Sequence, residues 1–185
     1  MTRRELVRGA GFMALVFVAA FLGVWAGNAF RDARSGGGQR PSVPPHLAAG
    51  AAFPAETVVD AAGAPHDLAR LAGDGAVVMF LAVDCGACGM TLERWQPEIE
   101  GGALAGVPIL GVTSDPPERL AEFPAKGATF PVYRDAERVF NLEHQVTGVP
   151  TVVVVGPGGE IRDSWVGHRD DVDFARIREL ATTAI

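Results

Sequence analysis

Cysteine is scarce in this chain, with only Cys85 and Cys88 among 185 residues. Two cysteines cannot build the multi-bridge framework of a small secreted scaffold, and they are too few for a four-cysteine zinc site. Their C-x-x-C spacing points to chemistry, against the plainer options of an inert local disulfide or two unpaired core thiols. Positive charge is scarce beyond the first forty residues. Residues 1–40 hold six arginines against Glu5 and Asp32, so with a formal net charge of −6 the remainder carries −10. Such an acidic body argues against nucleic acid as a partner and against adhesion to anionic lipid. Internal repeats and further biased segments are absent. His46, His66, His144 and His168 are scattered, each reading as a surface or loop residue rather than a ligand.

Charge is missing altogether from the 22 residues between Arg8 and Arg31, which are rich in Ala, Val, Leu and Phe. At 1.5 Å per residue a helix of this run crosses a hydrocarbon core of ~30 Å. Arg3, Arg4 and Arg8 precede it, so the positive-inside tendency keeps the N-terminus cytoplasmic and exports the chain beyond Arg31, although Arg31, Arg34 and Arg40 weaken the asymmetry. A cleaved signal peptide is the rival reading, with Gly27-Asn28-Ala29 or Val24-Trp25-Ala26 as the cleavage site. Thr2-Arg3-Arg4-Glu5-Leu6-Val7-Arg8 also resembles a twin-arginine export signal, leading to the same oxidising compartment. From Arg31 to Gly50 the chain is rich in Gly, Pro, Arg and Ser and has no apolar period, so it reads as a tether. The expected organisation is a cytoplasmic tip and transmembrane anchor over 1–30, a flexible linker over 31–50 and one domain over 51–185.

Within that domain, Ala76 to Val83 is an unbroken apolar run of strand length, as in a strand buried on both faces. Cys85 and Cys88 come directly after it, and Leu92, Trp95 and Ile99 then fall at helical spacing, so the cysteines sit at a strand-to-helix junction. Pro97 should kink or end that helix. Val107 to Thr113 is the next strand, and Asp115-Pro116-Pro117-Glu118 reads as a cap opening a short helix to about Phe123. Further on come a short strand over Phe130 to Tyr133, a short helix over Ala136 to Leu142 and a β-branched strand over Thr151 to Val155. Gly156-Pro157-Gly158-Gly159 should turn the chain into a returning strand over Glu160 to Val166. Phe174, Ile177 and Leu180 then mark one face of a terminal helix begun near Asp170. Trp95, Phe80 and Trp165 read as core or rim packing. The pattern gives an α/β sheet covered by helices on both faces.

A buried strand running into C-x-x-C at a helix start, then Gly148-Val149-Pro150-Thr151 before a strand, a Gly-rich hairpin and a terminal helix, resembles thioredoxin. With the inserted region from Asp115 to Tyr133 and the membrane anchor, the chain is similar to the TlpA/ResA branch of exported, membrane-tethered disulfide reductases, over roughly residues 50 to 182. Two departures stand out: Asp84 replaces the Trp usual before the first cysteine, and Gly86-Ala87 lie between the cysteines where Pro is frequent. Met79 occupies the strand position where the resemblance leads one to look for a buried acid.

The resemblance implies a thiol–disulfide oxidoreductase whose redox-active Cys85–Cys88 disulfide serves in place of a cofactor. It also implies a cis Pro150 facing the site, with Val149 offering backbone hydrogen bonds to an extended substrate. Cys85, Cys88, Pro150 and Asp84 would then carry the reaction, while Gly86, Ala87, Val149 and Thr151 contact the substrate. Partners so implied are the thiols or disulfides of exported proteins and a membrane thiol transporter as electron donor.

The residues themselves supply a rationale. A helix N-terminus lowers a thiol pKa, which makes Cys85 the attacking nucleophile, and Cys88 one turn later on the same face is the resolving thiol. Asp84, if not a plain helix cap, opposes this, raising the Cys85 pKa by up to about one unit. A less stabilised reduced form favours a reducing couple. Two other classes share parts of the pattern. A copper chaperone would use both thiols with His144 or His168 as third ligand. A peroxiredoxin is suggested by Thr113-Ser114-Asp115 and Phe130-Pro131-Val132, but Ala82 stands where a threonine is expected three residues before the reactive cysteine.

Overall fold

The computed structural model describes residues 42–184. The anchor expected over 1–30 and most of the 31–50 tether lie outside the described residues, among which no helix is long and apolar enough to cross a membrane. The strands are β1 (Thr57–Val59), β2 (Pro65–Asp67), β3 (Asp74–Phe80), β4 (Ile109–Thr113), β5 (Val132–Arg134), β6 (Thr151–Pro157) and β7 (Ile161–Val166). The helices are α1 (Leu68–Ala72), α2 (Gly86–Glu100), α3 (Val139–Leu142) and α4 (Phe174–Thr182). One mixed sheet runs in the order β2-β1-β5-β4-β3-β6-β7. β3 lies parallel to β4 and antiparallel to β6, and it is buried from its second residue onward. This is a thioredoxin-like α/β fold, with a central sheet and flanking helices.

The pleat divides the core in two. Val77 and Met79 of β3, with Val152 and Val154 of β6, face Leu92 and Trp95 of α2 and Phe174 and Ile177 of α4. Ala76, Val78 and Phe80 point the other way, into Leu47, Phe53, Val58, Leu68 and Phe140. Alternate residues of an extended chain face opposite sides, so apolar residues at every position require cover on both. Trp95, Phe80 and Trp165 are all buried, Trp95 meeting Phe174 edge-on at 4.9 Å.

Several expected boundaries move, each for a local reason. Pro97 does not end α2, which runs on to Glu100 and closes with the Gly101 amide on the Pro97 carbonyl at 2.9 Å. Proline removes one donor, and the last turn keeps its others. The helix expected after Asp115 is a 3-10 turn, Pro117–Glu122, without a side-chain cap. Asp115 cannot cap it because its carboxylate is committed to β4 and the loop after β3. α4 starts at Phe174, where Asp173 accepts the Arg176 amide, rather than near Asp170. The tether boundary moves too. Pro45–Leu47 form a 3-10 turn, Leu47 is fully buried, and its carbonyl accepts the Ser164 hydroxyl at 2.6 Å. The Gly50 amide donates to the Ile161 carbonyl at 2.8 Å. The end of the expected linker is therefore part of the folded body.

Candidate active site

The chain leaves the sheet through Leu81, Ala82 and Val83 and turns into α2 at Cys85. Two anchors set this turn. The Asp115 carboxylate accepts the Val83 amide at 2.7 Å and the Thr113 hydroxyl at 2.8 Å, tying the turn to the end of β4. Cys85 is the N-cap, in extended backbone conformation, and its sulfur accepts the Cys88 amide at 3.1 Å. An amide aimed at that sulfur, at the positive end of a helix of 15 residues, favours the thiolate. Cys85 and Cys88 form a disulfide with Cα atoms 5.1 Å apart. Cys85 is partly exposed, whereas Cys88 is 1 % exposed.

Across from the pair, the Val149–Pro150 peptide bond is cis, and the Val149 carbonyl oxygen lies 3.4 Å from the Cys85 sulfur. The oxidised sulfur bears no hydrogen, so this contact becomes a hydrogen bond only when Cys85 is a thiol. Val149 presents an exposed apolar side chain beside the disulfide, while Pro150 is buried. Thr151 departs from its expected role. It is fully buried, and its hydroxyl donates to the Gly148 carbonyl at 2.6 Å, so it shapes the loop instead of touching substrate. Gly86 is exposed and Ala87 half-buried at the helix start.

Asp84 also departs from expectation. It does not cap α2, because Cys85 does. Its carboxylate takes both ends of the Arg119 guanidinium, at 2.5 and 2.9 Å, and Arg119 also binds Glu122 at 2.8 Å. The hydrogen bond from Arg119 holds the Asp84 carboxyl below its ordinary value of 3.8, and the same guanidinium lowers Glu122. The guanidinium itself is pushed up by Asp84. The negative charge expected beside Cys85 is thus largely offset by a positive one. Arg119 lies 35 residues from Asp84, so no spacing rule could have revealed it. Asp84, Cys85 and Gly86 share with Glu93 and Lys126 an open cleft of about 470 Å³ beside the partly exposed Cys85.

The two histidines considered as copper ligands are each held by other side chains. His144 binds Glu56 at 2.7 Å, and His168 lies between Thr91 at 3.1 Å and Asp170 at 3.0 Å. Among the described residues no group of three or more His, Cys, Asp or Glu side chains is placed to hold a metal ion.

Known structures share this arrangement of strands and helices. The thioredoxin domain of a thiol-disulfide oxidoreductase from Bacteroides vulgatus is 23 % identical and superposes with a TM-score of 0.55, over 67 % of this chain and 92 % of that one. StoA from Bacillus subtilis is 19 % identical with a TM-score of 0.53, over 69 % and 98 %. Peroxidoxin BcpB from Mycobacterium tuberculosis is 19 % identical with a TM-score of 0.56, over 74 % and 95 %. At these identities the likeness speaks for the fold alone. No curated protein matches the chain. Residues 49–164, well over half of the chain and including both cysteines and the Pro150 loop, match the AhpC/TSA family, and the protein belongs to it.

Proposed function

We propose that this protein is a thiol–disulfide oxidoreductase of the TlpA/ResA type, reducing disulfides of exported proteins on the outer side of a cytoplasmic membrane. The observation that carries the proposal is the asymmetry of the pair. Cys85 is reachable, at a helix N-terminus, with an amide on its sulfur, and Cys88 is buried one turn behind it. In the reduced protein the Cys85 thiolate attacks a client disulfide, forming a mixed disulfide and releasing one client thiolate. Cys88 then loses its proton and attacks the Cys85 sulfur, closing the Cys85–Cys88 disulfide and releasing the second client thiolate. Two electrons pass to the client, and a membrane thiol transporter restores the dithiol. Residues 1–30 would anchor the domain, with Val149 and the cleft beside Asp84 receiving the client chain.

Insulin reduction tests this. Cys85→Ser should abolish it, and Cys88→Ser should accumulate mixed disulfides, since the attacking thiol remains without its resolving partner. A Cys88 more reactive than Cys85 would reverse the roles. A reduction potential near about −250 mV or below fits a reductase, and one near about −120 mV an oxidant.

Peroxide reduction is the second reading, favoured by membership of the AhpC/TSA family. Against it, residue 82 is alanine and offers no hydroxyl to a bound peroxide. Peroxide consumption with a dithiol reductant, faster than insulin reduction and lost in Cys85→Ser, would install it.

A further inference from the structure

Disulfide exchange as proposed above leaves one proton without a destination. Cys88 is 1 % exposed, and it must lose its thiol proton before it can attack the sulfur of Cys85. Burial disfavours the thiolate, so the proton needs an acceptor within the protein. The strand beneath supplies none, because Met79 fills the position facing α2 and is fully buried.

A polar chain does begin one turn further along α2. Thr91 lies three residues beyond Cys88 on α2 and is 2 % exposed, so the two side chains share one face of the helix. The loop after β7 supplies the next member. The Gly167 amide donates to the Pro150 carbonyl at 2.7 Å, and the residue after it, His168, places Nδ1 3.1 Å from the Thr91 hydroxyl oxygen. The other ring nitrogen, Nε2, lies 3.0 Å from Asp170. The His168 side chain is 12 % exposed and that of Asp170 92 %. The contacts therefore run from Thr91, one helical turn beyond the buried thiol, to solvent.

Counting hydrogens gives this chain two states. The Asp170 carboxylate only accepts, so Nε2 carries a hydrogen. The Thr91 hydroxyl also lies 2.9 Å from the Ala87 carbonyl. When it donates there, Nδ1 must donate to it, and the ring is a cation. When the hydroxyl turns to Nδ1, the ring is neutral. One proton and one hydroxyl rotation separate the two arrangements, which is what a proton relay requires. The nearby guanidinium groups are engaged elsewhere. Arg169 lies over Trp165 at 5.1 Å, and Arg94 of α2 lies over Phe174 at 5.0 Å and pairs with Glu98 at 2.9 Å.

We propose that Thr91 and His168 form the relay that removes the Cys88 proton during resolution of the mixed disulfide. Cys88 passes its proton to the Thr91 oxygen as the Thr91 hydroxyl proton moves to Nδ1 of His168. The Cys88 thiolate then forms the bond to Cys85 as the Cys85–client bond breaks, and the client sulfur leaves with the electron pair. His168 afterwards releases the proton past Asp170 to water. This step rests on the disulfide-exchange reading.

The test uses the reduced full chain and an aromatic disulfide that releases a coloured thiolate. A first phase of colour reports attack by Cys85, and a second reports displacement by Cys88. His168→Gln and Thr91→Val should leave the first phase unchanged and slow the second by roughly 10²-fold at neutral pH. In both variants the second phase should climb with pH across the range where the unaltered protein levels off. Thr91→Ser, which keeps the hydroxyl, should restore the unaltered rate. A second phase unchanged in rate and pH profile in His168→Gln overturns the relay, as does slowing in Thr91→Val alone, which would make Thr91 merely structural. Absence of a first phase in the unaltered protein overturns disulfide exchange itself. If Thr91→Val loses its first phase through misfolding, His168→Gln, altered at the rim of the fold, decides.

Discussion

Asp84 and Arg119 should tune the Cys85 thiolate in opposite directions, and the two changes should nearly cancel when combined. The Asp84 carboxylate belongs to the residue before Cys85, at ~6–7 Å from its sulfur. At an effective dielectric of ~40–80, suited to this exposed site, its removal raises the thiolate-to-thiol ratio roughly three- to eightfold. Arg119 stands one ion pair further out, at ~9 Å, where its loss lowers that ratio roughly two- to fivefold. Alkylation rates across pH, in a Cys88→Ser background so that only one thiol reacts, read both changes. Asp84→Asn should shift the profile to lower pH, Arg119→Gln to higher pH, and the double variant should fall near the parent. At ~1 M salt, where the Debye length is ~3 Å, each shift should shrink. An Asp84→Asn profile that stays in place or moves up, or an Arg119→Gln profile that moves down, would refute this electrostatic account.

The same contacts give other expected outcomes. Leu47→Ala should destabilise the fold by about 2–5 kcal/mol in urea titration, because Leu47 is fully buried and its loss leaves a cavity. A chain begun at residue 51 should be less stable still than one begun at 42, and equal stability would return residues 42–50 to the tether. Asp60, Asp84 and Glu122 are held below their ordinary values of 3.8, 3.8 and 4.5 by hydrogen bonds from His66, Arg119 and Arg119. Their contribution to stability is complete above those ordinary values and is lost as pH falls through the lowered ones. Arg119→Gln should therefore flatten the acid limb of a stability–pH curve. Copper(I) should bind weakly to the reduced protein, and His144→Ala or His168→Ala should not change it, since each histidine already has a carboxylate partner. Tight binding lost with either histidine, together with absent insulin reduction, would favour a metallochaperone.

The parts of the fold legible in the sequence are those where a long apolar run leaves one interpretation. β3 and β6 are covered on both faces and so read as unbroken hydrophobic stretches, and the glycine-rich turn between β6 and β7 leaves only a hairpin. β1 and β2 have three residues each, too few for any period to show, and their pairing depends on partners far along the chain. Leu47 was hidden for a related reason, since a single apolar residue among Pro, Gly and Ser carries no pattern until β7 closes over it. At the site, the placement of Cys85 and Cys88 came from local order, strand then helix. What local order could not supply was the company they keep. Asp115 and Arg119 reach the cysteine turn from the β4–β5 connection, His168 reaches Thr91 of α2 from the loop after β7, and Thr151, next to the cis-proline, turns inward because Gly148 offers an acceptor.

Pairing of Asp84 with Arg119 also changes what can be argued about the direction of the reaction. An isolated carboxylate beside Cys85 would destabilise the reduced form and make the couple more reducing. Offset by Arg119, that push is small, and the potential is left to the helix N-terminus, the Cys88 amide on the Cys85 sulfur and the desolvation of Cys88. The first two favour a thiolate and hence an oxidising couple, whereas the third works against the dithiolate. The balance is measurable by substitution, because a tenfold change in the equilibrium of a two-electron couple corresponds to about 30 mV. A three- to eightfold change in thiolate stability then sets an upper bound of roughly 15–25 mV. Equilibration with a glutathione or dithiothreitol series should show Asp84→Asn moved upward and Arg119→Gln downward within that bound. A shift of roughly 100 mV would mean that the ion pair holds the Asp84–Cys85 turn in place, and that geometry, not charge, is what it contributes.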